Sequence, residues 1–306
     1  MTRHFLTIAD TGDRDLETIY RLAVAPVDDT LLAGQGVALV FERPSLRTRA
    51  SSSTAVHELG GFATFFSDEE IGLGHRESVD DVGRTLSEMY SLVGARVREH
   101  RTLERWREVV GDRLGVINLL SDLAHPTQAI ADLLTLADEF AEGSVAGLAG
   151  RTVAYVGDAT NVTRSVAVAL RRAGVHVRVG APAGYQLSSG GGEDPSDPNL
   201  GGSLELVDNP VDAVRGADAV YTDAWVSMGL EAETDQRRRD LGPFAVTAEV
   251  MSHAATHAIV MHCLPAHRGD EITDEVLDSA ASRVWRQVYH RRSAMVGVLR
   301  WMKGEK

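Results

Sequence analysis

Short apolar runs alternate along the chain with longer segments whose apolar residues recur every three or four positions. The short runs are rich in Val, Ile, Leu and Phe, as in buried strands, and the longer periodic segments are typical of amphipathic helices. Strands are predicted at residues 36–41, 62–66, 92–97, 116–119, 152–157, 175–179, 219–222 and 259–262. This alternation predicts an α/β fold with parallel sheets flanked by helices.

Helices are predicted between these strands, beginning with residues 7–25, where Leu16, Ile19, Tyr20 and Ala23 lie on one face. The others are predicted at 46–59, 78–89, 127–140, 161–173 and 285–302. Residues 67–76 are acidic and contain glycine, and residues 188–202 are rich in Gly, Ser, Pro and Asp. Both compositions predict loops.

The strand and helix pattern stops at a glycine-bearing stretch, residues 141–150, and then starts again. We therefore expect two domains, each a parallel sheet flanked by helices, joined by interdomain helices. The first covers residues 1–140, with the C-terminal helix (about 285–306) packing back on it, and the second covers residues 150–280.

Composition narrows the class of protein. The chain has 306 residues, of which 43% are hydrophobic, and a formal net charge of -13. The acidic balance and scarce aromatics argue against a nucleic-acid partner. No apolar run approaches a membrane span, and no signal peptide is visible, so no membrane association is expected. A single cysteine favours a reducing compartment, the cytoplasm.

Residues 41–49 join the first predicted strand to a helix through a tight turn. Pro44 ends the strand, and Ser45 is a suitable N-cap for the helix that follows. A helix N-terminus offers free N–H groups and a positive dipole end, and Arg47 and Thr48 add donors suited to phosphate. A capped surface helix with solvated arginines explains the same residues equally well.

Polar clusters follow the predicted strands, where ligands bind in open α/β sheets. They lie at residues 45–49, 96, 125–128, 158–161, 223–228 and 262–265. Each alone has a structural explanation: a surface arginine at Arg96, a helix cap at His125 or Asn161, a turn at Asp223, a buried thiol at Cys263. Their common placement favours a ligand site.

Cofactor motifs are not found. The glycine at 157 lacks the further glycines of a dinucleotide fingerprint, and no Walker loop is present. The histidines lack zinc-ligand spacing. We therefore expect neither a cofactor nor a metal.

Four motifs together resemble the aspartate/ornithine carbamoyltransferase family over nearly the whole chain. Ser-Leu-Arg-Thr-Arg at 45–49 is similar to its phosphate motif, and His-Pro-Thr-Gln at 125–128 to its His-Pro-x-Gln signature. Asp-Ala-Trp-Val-Ser-Met-Gly at 223–229 and His-Cys-Leu-Pro at 262–265 resemble the ornithine branch. The resemblance implies carbamoyl transfer from carbamoyl phosphate to the δ-amine of L-ornithine, giving L-citrulline and phosphate in arginine biosynthesis. It also implies a homotrimer or a multiple of trimers.

The resemblance also implies roles for individual residues. The first domain would bind carbamoyl phosphate and the second ornithine. Catalytic roles fall to Arg47, Arg96, His125, Gln128, Asp223 and Cys263. Substrate binding involves these residues together with Ser45, Leu46, Thr48, Pro126, Thr127, Asn161, Ser227, Met228, Leu264 and Arg291. Leu46 replaces the usual Thr, and Gly72 stands where the family commonly places a Gln or His that reaches a neighbouring subunit, with His75 nearby.

Two other functions remain open at this point. One is a sister carbamoyltransferase that acts on acetylornithine, putrescine or lysine. The other is a catalytically inactive scaffold that binds phosphate.

Overall fold

The computed structural model describes residues 2–188, 192–226 and 231–305. The chain forms two compact units. Unit 1 comprises Met1–Ala131, Gly191–Glu193 and Tyr289–Lys306, and unit 2 comprises Asp132–Gly190 and Asp194–Val288.

Unit 1 is built on a sheet of four parallel strands in the order β2-β1-β3-β4. Its elements are α1 (Asp13–Val24), β1 (Gly36–Phe41), α2 (Leu46–Glu58), β2 (Phe62–Ser67), α3 (Asp68–Ile71), α4 (Val79–Met89), β3 (Leu92–Arg96), α5 (His100–Val110), β4 (Gly115–Leu120) and the start of α6 (Pro126–Phe140). A 3-10 turn, Gly111–Arg113, follows α5. Trp106 on α5 lies in the core with Val82 of α4 and Val93 of β3, so these two helices cover one face of the sheet.

Unit 2 is built on five parallel strands in the order β7-β6-β5-β8-β9. Its elements are β5 (Thr152–Val156), α7 (Asn161–Arg172), β6 (His176–Gly180), β7 (Leu204–Val207), α8 (Pro210–Val214), β8 (Ala219–Thr222), α9 (Thr234–Leu241), α10 (Ala248–Met251), β9 (Ile259–His262), α11 (Asp274–Leu277) and the start of α12 (Val284–Met302). The 3-10 turns are Val145–Leu148, Glu231–Glu233 and Gly242–Phe244. The chain passes between the units within α6 and within α12, and also on either side of Gly191–Glu193.

The predicted fold class is confirmed, and each predicted strand is present with ends that match or differ by one residue. The first helix is wrong at its start, because α1 begins at Asp13. Thr11 N donates to Ile8 O (3.2 Å) in a turn that precedes α1. Before this turn, Phe5 lies beside β4, where its N–H donates to Val116 O (2.8 Å) and its carbonyl accepts from Asn118 N (2.8 Å).

The predicted loop at 67–76 is partly helical. The Ser67 hydroxyl caps α3 by accepting from Glu70 N, and the Glu70 carboxylate in turn accepts from Ser67 N, a capping box that the Ser-Asp-Glu-Glu sequence encodes. Within the predicted loop at 188–202, residues 192–202 contain neither helix nor strand, and 189–191 lie outside the described residues. The sequence analysis also missed α5, β7 and the short helices α8 to α11.

None of the described helices is long and apolar enough to cross a membrane.

Asp218 joins three segments of unit 2 just before β8. Its carboxylate accepts from Thr152 N (2.8 Å), Arg151 Nη1 (3.0 Å) and His257 Nε2 (2.8 Å). Burial acts to raise the pKa of Asp218, but these three donors together lower it below its usual value. The ionised form therefore stabilises the folded state.

We expect Asp218→Asn to lower the free energy of unfolding by about 1–3 kcal/mol near pH 7, since hydrogen bonds to a charged group are lost. Because the folded-state pKa of Asp218 is depressed, this contribution is present above the unfolded-state pKa of about 4. It disappears as the pH falls through the folded-state value. Urea unfolding of both proteins at several pH values measures the difference. Asp212→Asn removes an exposed pair with Arg215 and should change stability by less than about 0.5 kcal/mol.

Candidate active site

The N-terminus of α2 lies at the carboxyl end of the unit 1 sheet. Phe41, the last residue of β1, pairs with Arg96, the last of β3. Ser45 caps α2 by accepting from Thr48 N (3.4 Å), and its hydroxyl donates to Thr48 Oγ1 (3.1 Å). The predicted N-cap is therefore confirmed. Leu46 is 80% exposed, so its side chain takes no part in this buried network.

Arg291 of α12 gathers three predicted site residues of unit 1. Its Nη1 donates to Gln128 Oε1 (2.6 Å) and to His125 Nε2 (3.1 Å), and its Nη2 donates to Thr48 Oγ1 (3.1 Å). All four side chains are buried. Residues far apart in sequence thus form one cluster beside the α2 N-terminus. Only the family resemblance had linked these residues beforehand.

His125 is held as a neutral imidazole with a defined proton position. A guanidinium only donates hydrogen bonds, so Nε2 is the acceptor for Arg291 and the ring proton lies on Nδ1. Burial lowers the pKa of His125 well below its usual range, and the charges of Arg291, Arg96 and Arg47 lower it further. Three arginine charges therefore act on one imidazole, which favours an anionic ligand nearby.

We expect His125 to remain neutral from about pH 6 to pH 8, with the proton on Nδ1. Nitrogen-15 NMR of histidine-labelled protein reads both the charge and the tautomer. In Arg291→Met, the second-largest cause of the depressed pKa is gone, so the pKa of His125 should rise while burial still keeps it below about 6.5. A wild-type His125 signal that titrates at the usual histidine value would contradict this assignment.

A buried amide shapes the turn that precedes His125, and the sequence analysis missed it. Asn118 Nδ2 donates to Leu6 O (2.8 Å) and to Ala124 O (3.2 Å), and Ser121 N also donates to Ala124 O (3.0 Å). The residue directly before His125 is therefore fixed from two sides. A fully buried asparagine in an otherwise apolar strand was the signal that could have found it.

Gly72 ends α3 in the left-handed conformation with φ 64. A Cβ built there would lie 2.7 Å from the Arg76 Cβ, so a larger side chain at this position needs a local shift. Glycine therefore suits this turn better than a larger residue would. His75 is exposed on the turn that follows.

Asp223 and Cys263 form the centre of the polar cluster in unit 2. Asp223 follows β8, Cys263 follows β9, and these two strands are parallel neighbours. Asp223 Oδ1 accepts from Cys263 Sγ (2.9 Å) and from Ala224 N (2.7 Å). Burial raises the pKa of Asp223, and burial with the Asp223 charge raises the pKa of Cys263 well above its usual range. The sulfur is therefore a thiol that donates, not a thiolate nucleophile.

The backbone beside Cys263 is fixed by the buried ring of His262. Leu264 N donates to His262 Nδ1 (2.8 Å), so Nε2 carries the proton and donates to Glu271 Oε1 (3.1 Å). Leu264 has φ 60 and a cis bond to Pro265. The ring thereby sets the direction of the main chain from Cys263 to Leu264.

Asp223, His262 and Cys263 place one potential ligand atom each within 4.8 Å of one another. These residue types can hold a metal ion. Both ring nitrogens of His262 are engaged, however, and the thiol donates to the carboxylate. The arrangement is a closed hydrogen-bond network, and metal binding would have to break it.

The remaining predicted residues of unit 2 have mixed outcomes. Asn161 is the first residue of α7, and its interpretation as the N-cap is wrong because Thr160 caps the helix by accepting from Val162 N (3.3 Å). Trp225 packs against Gly157, where a Cβ would lie 3.2 Å from the indole nitrogen. Ser227 and Met228 lie outside the described residues.

The fold and these clusters are those of an α/β enzyme with two domains and polar sites at the ends of parallel strands. Residues 3–138 match the family model for the aspartate/ornithine carbamoyltransferase carbamoyl-P binding domain. Residues 149–302 match the Asp/Orn binding domain of the same family.

Similar proteins agree with this match. The ornithine carbamoyltransferase of Staphylothermus marinus is 39% identical over 97% of this chain and 96% of its own length. That of Methanopyrus kandleri is 38% identical over 99% and 98%. The structure of ornithine carbamoyltransferase from Pyrococcus furiosus superimposes with a TM-score of 0.90 at 37% identity, covering 100% of this chain and 98% of that one. The chain belongs to the aspartate/ornithine carbamoyltransferase family.

Proposed function

We propose that this protein transfers the carbamoyl group of carbamoyl phosphate to the δ-amine of L-ornithine, giving L-citrulline and phosphate. The observation that carries the proposal is the cluster of Arg291 with His125, Gln128 and Thr48 beside the capped end of α2. The relatives named ornithine carbamoyltransferase support the choice of amine.

Carbamoyl phosphate would bind in unit 1. Ser45, Thr48, the N–H of Leu46 and the guanidinium of Arg47 take the phosphate, as at other helix N-termini. Arg96 lies between phosphate and carbonyl, while His125 and Gln128 with Arg291 take the carbamoyl end. Pro126 starts α6 with its fixed φ, and Thr127 Oγ1 is a buried hydroxyl with no hydrogen-bond partner in the part of the chain that the structure describes. Such a hydroxyl is suited to a ligand.

The amine would bind in unit 2. Asp223, Cys263 and the carbonyl of Leu264 orient the amino nitrogen, and Asn161, Ser227 and Met228 take the rest of the ornithine. A free alkylamine has a pKa near ~10, and only its neutral form is a nucleophile. Enclosure away from water disfavours the ammonium form and so helps the amine to lose its proton, whereas the Asp223 carboxylate attracts and orients the nitrogen as it binds.

The reaction forms one bond and breaks one. The neutral nitrogen adds to the carbonyl carbon, and negative charge develops on the carbonyl oxygen. Arg96 and His125, through its Nδ1–H, supply positive charge and a donor for that oxygen. The carbon–oxygen bond to phosphate then breaks, the nitrogen gives its extra proton to an oxygen of the departing phosphate, and the phosphate leaves into the field of Arg47.

Citrulline formation by the purified protein tests the proposal. Carbamoyl phosphate is supplied with ornithine, acetylornithine, putrescine, lysine or aspartate in parallel. We expect turnover with ornithine alone. Turnover with another amine would keep the unit 1 assignment and overturn that of unit 2. A folded protein that binds phosphate but is inactive with every amine would support a scaffold.

We also propose a homotrimer or a multiple of it, located in the cytoplasm. The resemblance supports the trimer, as do large exposed apolar side chains of unit 1, since Leu46 is 80%, Phe62 56% and Met89 71% exposed. The single cysteine supports a reducing compartment. Light scattering after gel filtration should give the mass of three chains or a multiple. A monomer that is active at assay concentrations would overturn the trimer.

A further inference from the structure

Three consecutive arginines, residues 237–239, lie on α9 of unit 2, and Arg237 is much less exposed than the other two. The side chain of Arg237 is 12% exposed, whereas that of Arg238 is 54% exposed and Arg239 is also exposed. Burying a guanidinium is costly unless its charge and donors are matched. Its partners therefore indicate what it holds in place.

The Arg237 guanidinium connects two loops at the carboxyl ends of the strands. Its Nη1 donates to Asp158 Oδ2 (2.5 Å) and to the carbonyl of Trp225 (3.1 Å). Its Nε donates to Glu233 Oε2 (2.8 Å), in the residue directly before α9. Asp158 follows β5 and leads into α7 at Asn161. Trp225 lies two residues after Asp223, so one side chain fixes both loops that carry the proposed amine site.

A second contact makes the same connection through Tyr185. The guanidinium of Arg237 lies over the Tyr185 ring, 5.4 Å from its centre. The Tyr185 hydroxyl donates to Asp240 of α9 (2.9 Å), and its carbonyl accepts from Ala159 N (3.0 Å). The segment from Asp158 to Asn161 is thus held against α9 from two directions.

The ion pair of Arg237 with Asp158 is largely buried, because the Asp158 side chain is only 11% exposed. Each charge therefore needs the other to offset the cost of its burial. Burial raises the pKa of Asp158, and Arg237 offsets part of that rise. Removal of the guanidinium leaves an uncompensated buried carboxyl group, which is relieved by protonation or by movement of the loop. Either response changes the segment that leads to Asn161.

We propose that Arg237 is a positioning residue for the amine substrate: by holding the loops after β5 and β8 together, it sets the placement of Asn161 and Asp223. The inference rests on the proposed function, in that the amine is taken to bind beside those two residues. Arg237 itself is not assigned a contact with the substrate.

Steady-state citrulline formation by Arg237→Met tests this role when each substrate is varied separately. We expect the KM for ornithine to rise by about 10- to 100-fold and the KM for carbamoyl phosphate to change by less than about 3-fold. Arg237→Lys keeps the charge but cannot reach Asp158 and Trp225 in the same forked geometry, so it should recover only part of the affinity. Arg239→Met, at an exposed position on the same helix, should match the wild type.

Asp158→Asn supplies the second side of a double-mutant cycle. Alone, Asp158→Asn should raise the KM for ornithine. The double variant with Arg237→Met should raise this KM by less than the product of the two single fold-changes, because both substitutions break the same contact. Additive effects, or equal increases in both KM values with a lowered Tm, would overturn the inference and leave Arg237 as a general stabilising residue.

Binding measurements separate this inference from the proposed function. Calorimetry with L-ornithine, in the presence of inorganic phosphate, is carried out on the wild type and on Arg237→Met. A wild type that binds ornithine while Arg237→Met binds it at least about 10-fold more weakly supports the inference even without turnover. Equal affinity in both proteins overturns the inference alone. A wild type with neither binding nor turnover overturns the proposed function and the inference with it.

Discussion

Arg47→Ala should lower kcat/KM for carbamoyl phosphate by about 10³-fold, comparable to the loss of a major transition-state donor. Arg47 is the second residue of α2, in the first turn after the Ser45 cap. It lies close enough to His125 for its charge to lower that pKa. Its guanidinium would face the phosphate as the carbon–oxygen bond breaks, where charge accumulates. Steady-state kinetics with carbamoyl phosphate varied measures the loss.

Two further variants separate charge from geometry. Arg47→Lys keeps the positive charge but cannot bind two oxygens at once, so we expect an intermediate loss of about 10- to 100-fold. Arg113→Ala removes an exposed arginine paired with Glu88 and should leave the kinetics unchanged. All variants should keep the Tm of the wild type within a few degrees. A folded Arg47→Ala protein with normal kcat/KM would remove the phosphate assignment from α2.

Much of unit 1 could be predicted because its signals are local. A run of β-branched residues gave β1, and Pro44 with Ser45 marked the turn and the cap of α2. The position of β3 beside β1 then brought Arg96 to the same edge. Once the strands are known to be parallel, their carboxyl ends coincide, and the polar residues that follow them form the candidate site.

The missed elements depend on packing. The segment of α5 is charged, and its buried positions Leu103, Trp106 and Val110 are spaced for a helix but are too few to stand out. The predicted first helix begins at residue 7, yet Thr11 N donates to Ile8 O in a turn before α1, and Phe5 just ahead of it pairs with the open edge of β4. Sequence pattern cannot show which unpaired strand edge is available, because that depends on contacts distant in sequence.

The buried contacts of single polar residues were also beyond prediction. Arg237 is one of three adjacent arginines, and only the fold shows that Asp158 and Trp225 lie within its reach. The cluster around Arg291 likewise joins α12 to residues more than a hundred positions earlier. Here the family resemblance supplied the role, and the structure supplies the partners.

Asp223→Asn should lower kcat/KM for ornithine by about 10²- to 10³-fold, whereas Cys263→Ser should lower it by less than about 10-fold. The two residues share one hydrogen bond, in which the thiol donates to Asp223 Oδ1 (2.9 Å). A serine hydroxyl can donate in the same direction, so the carboxylate keeps its partner. Asparagine removes the charge that balances the amine as it binds. Citrulline formation with ornithine varied measures both effects.

The small loss expected for Cys263→Ser follows from the protonation of Cys263, since a protonated thiol acts only as a hydrogen-bond donor to Asp223. Because the pKa of the thiol is raised well above its usual range, the reactive thiolate is scarce near pH 8. Iodoacetamide should therefore modify the native protein far more slowly than the unfolded one, and no acyl-enzyme should accumulate with carbamoyl phosphate. Rapid alkylation of the native protein, or a Cys263→Ser loss equal to that of Asp223→Asn, would instead make the sulfur a nucleophile. The reaction would then pass through a carbamoyl thioester, and Asp223 would act as the base that activates the thiol, not as the group that orients the amine.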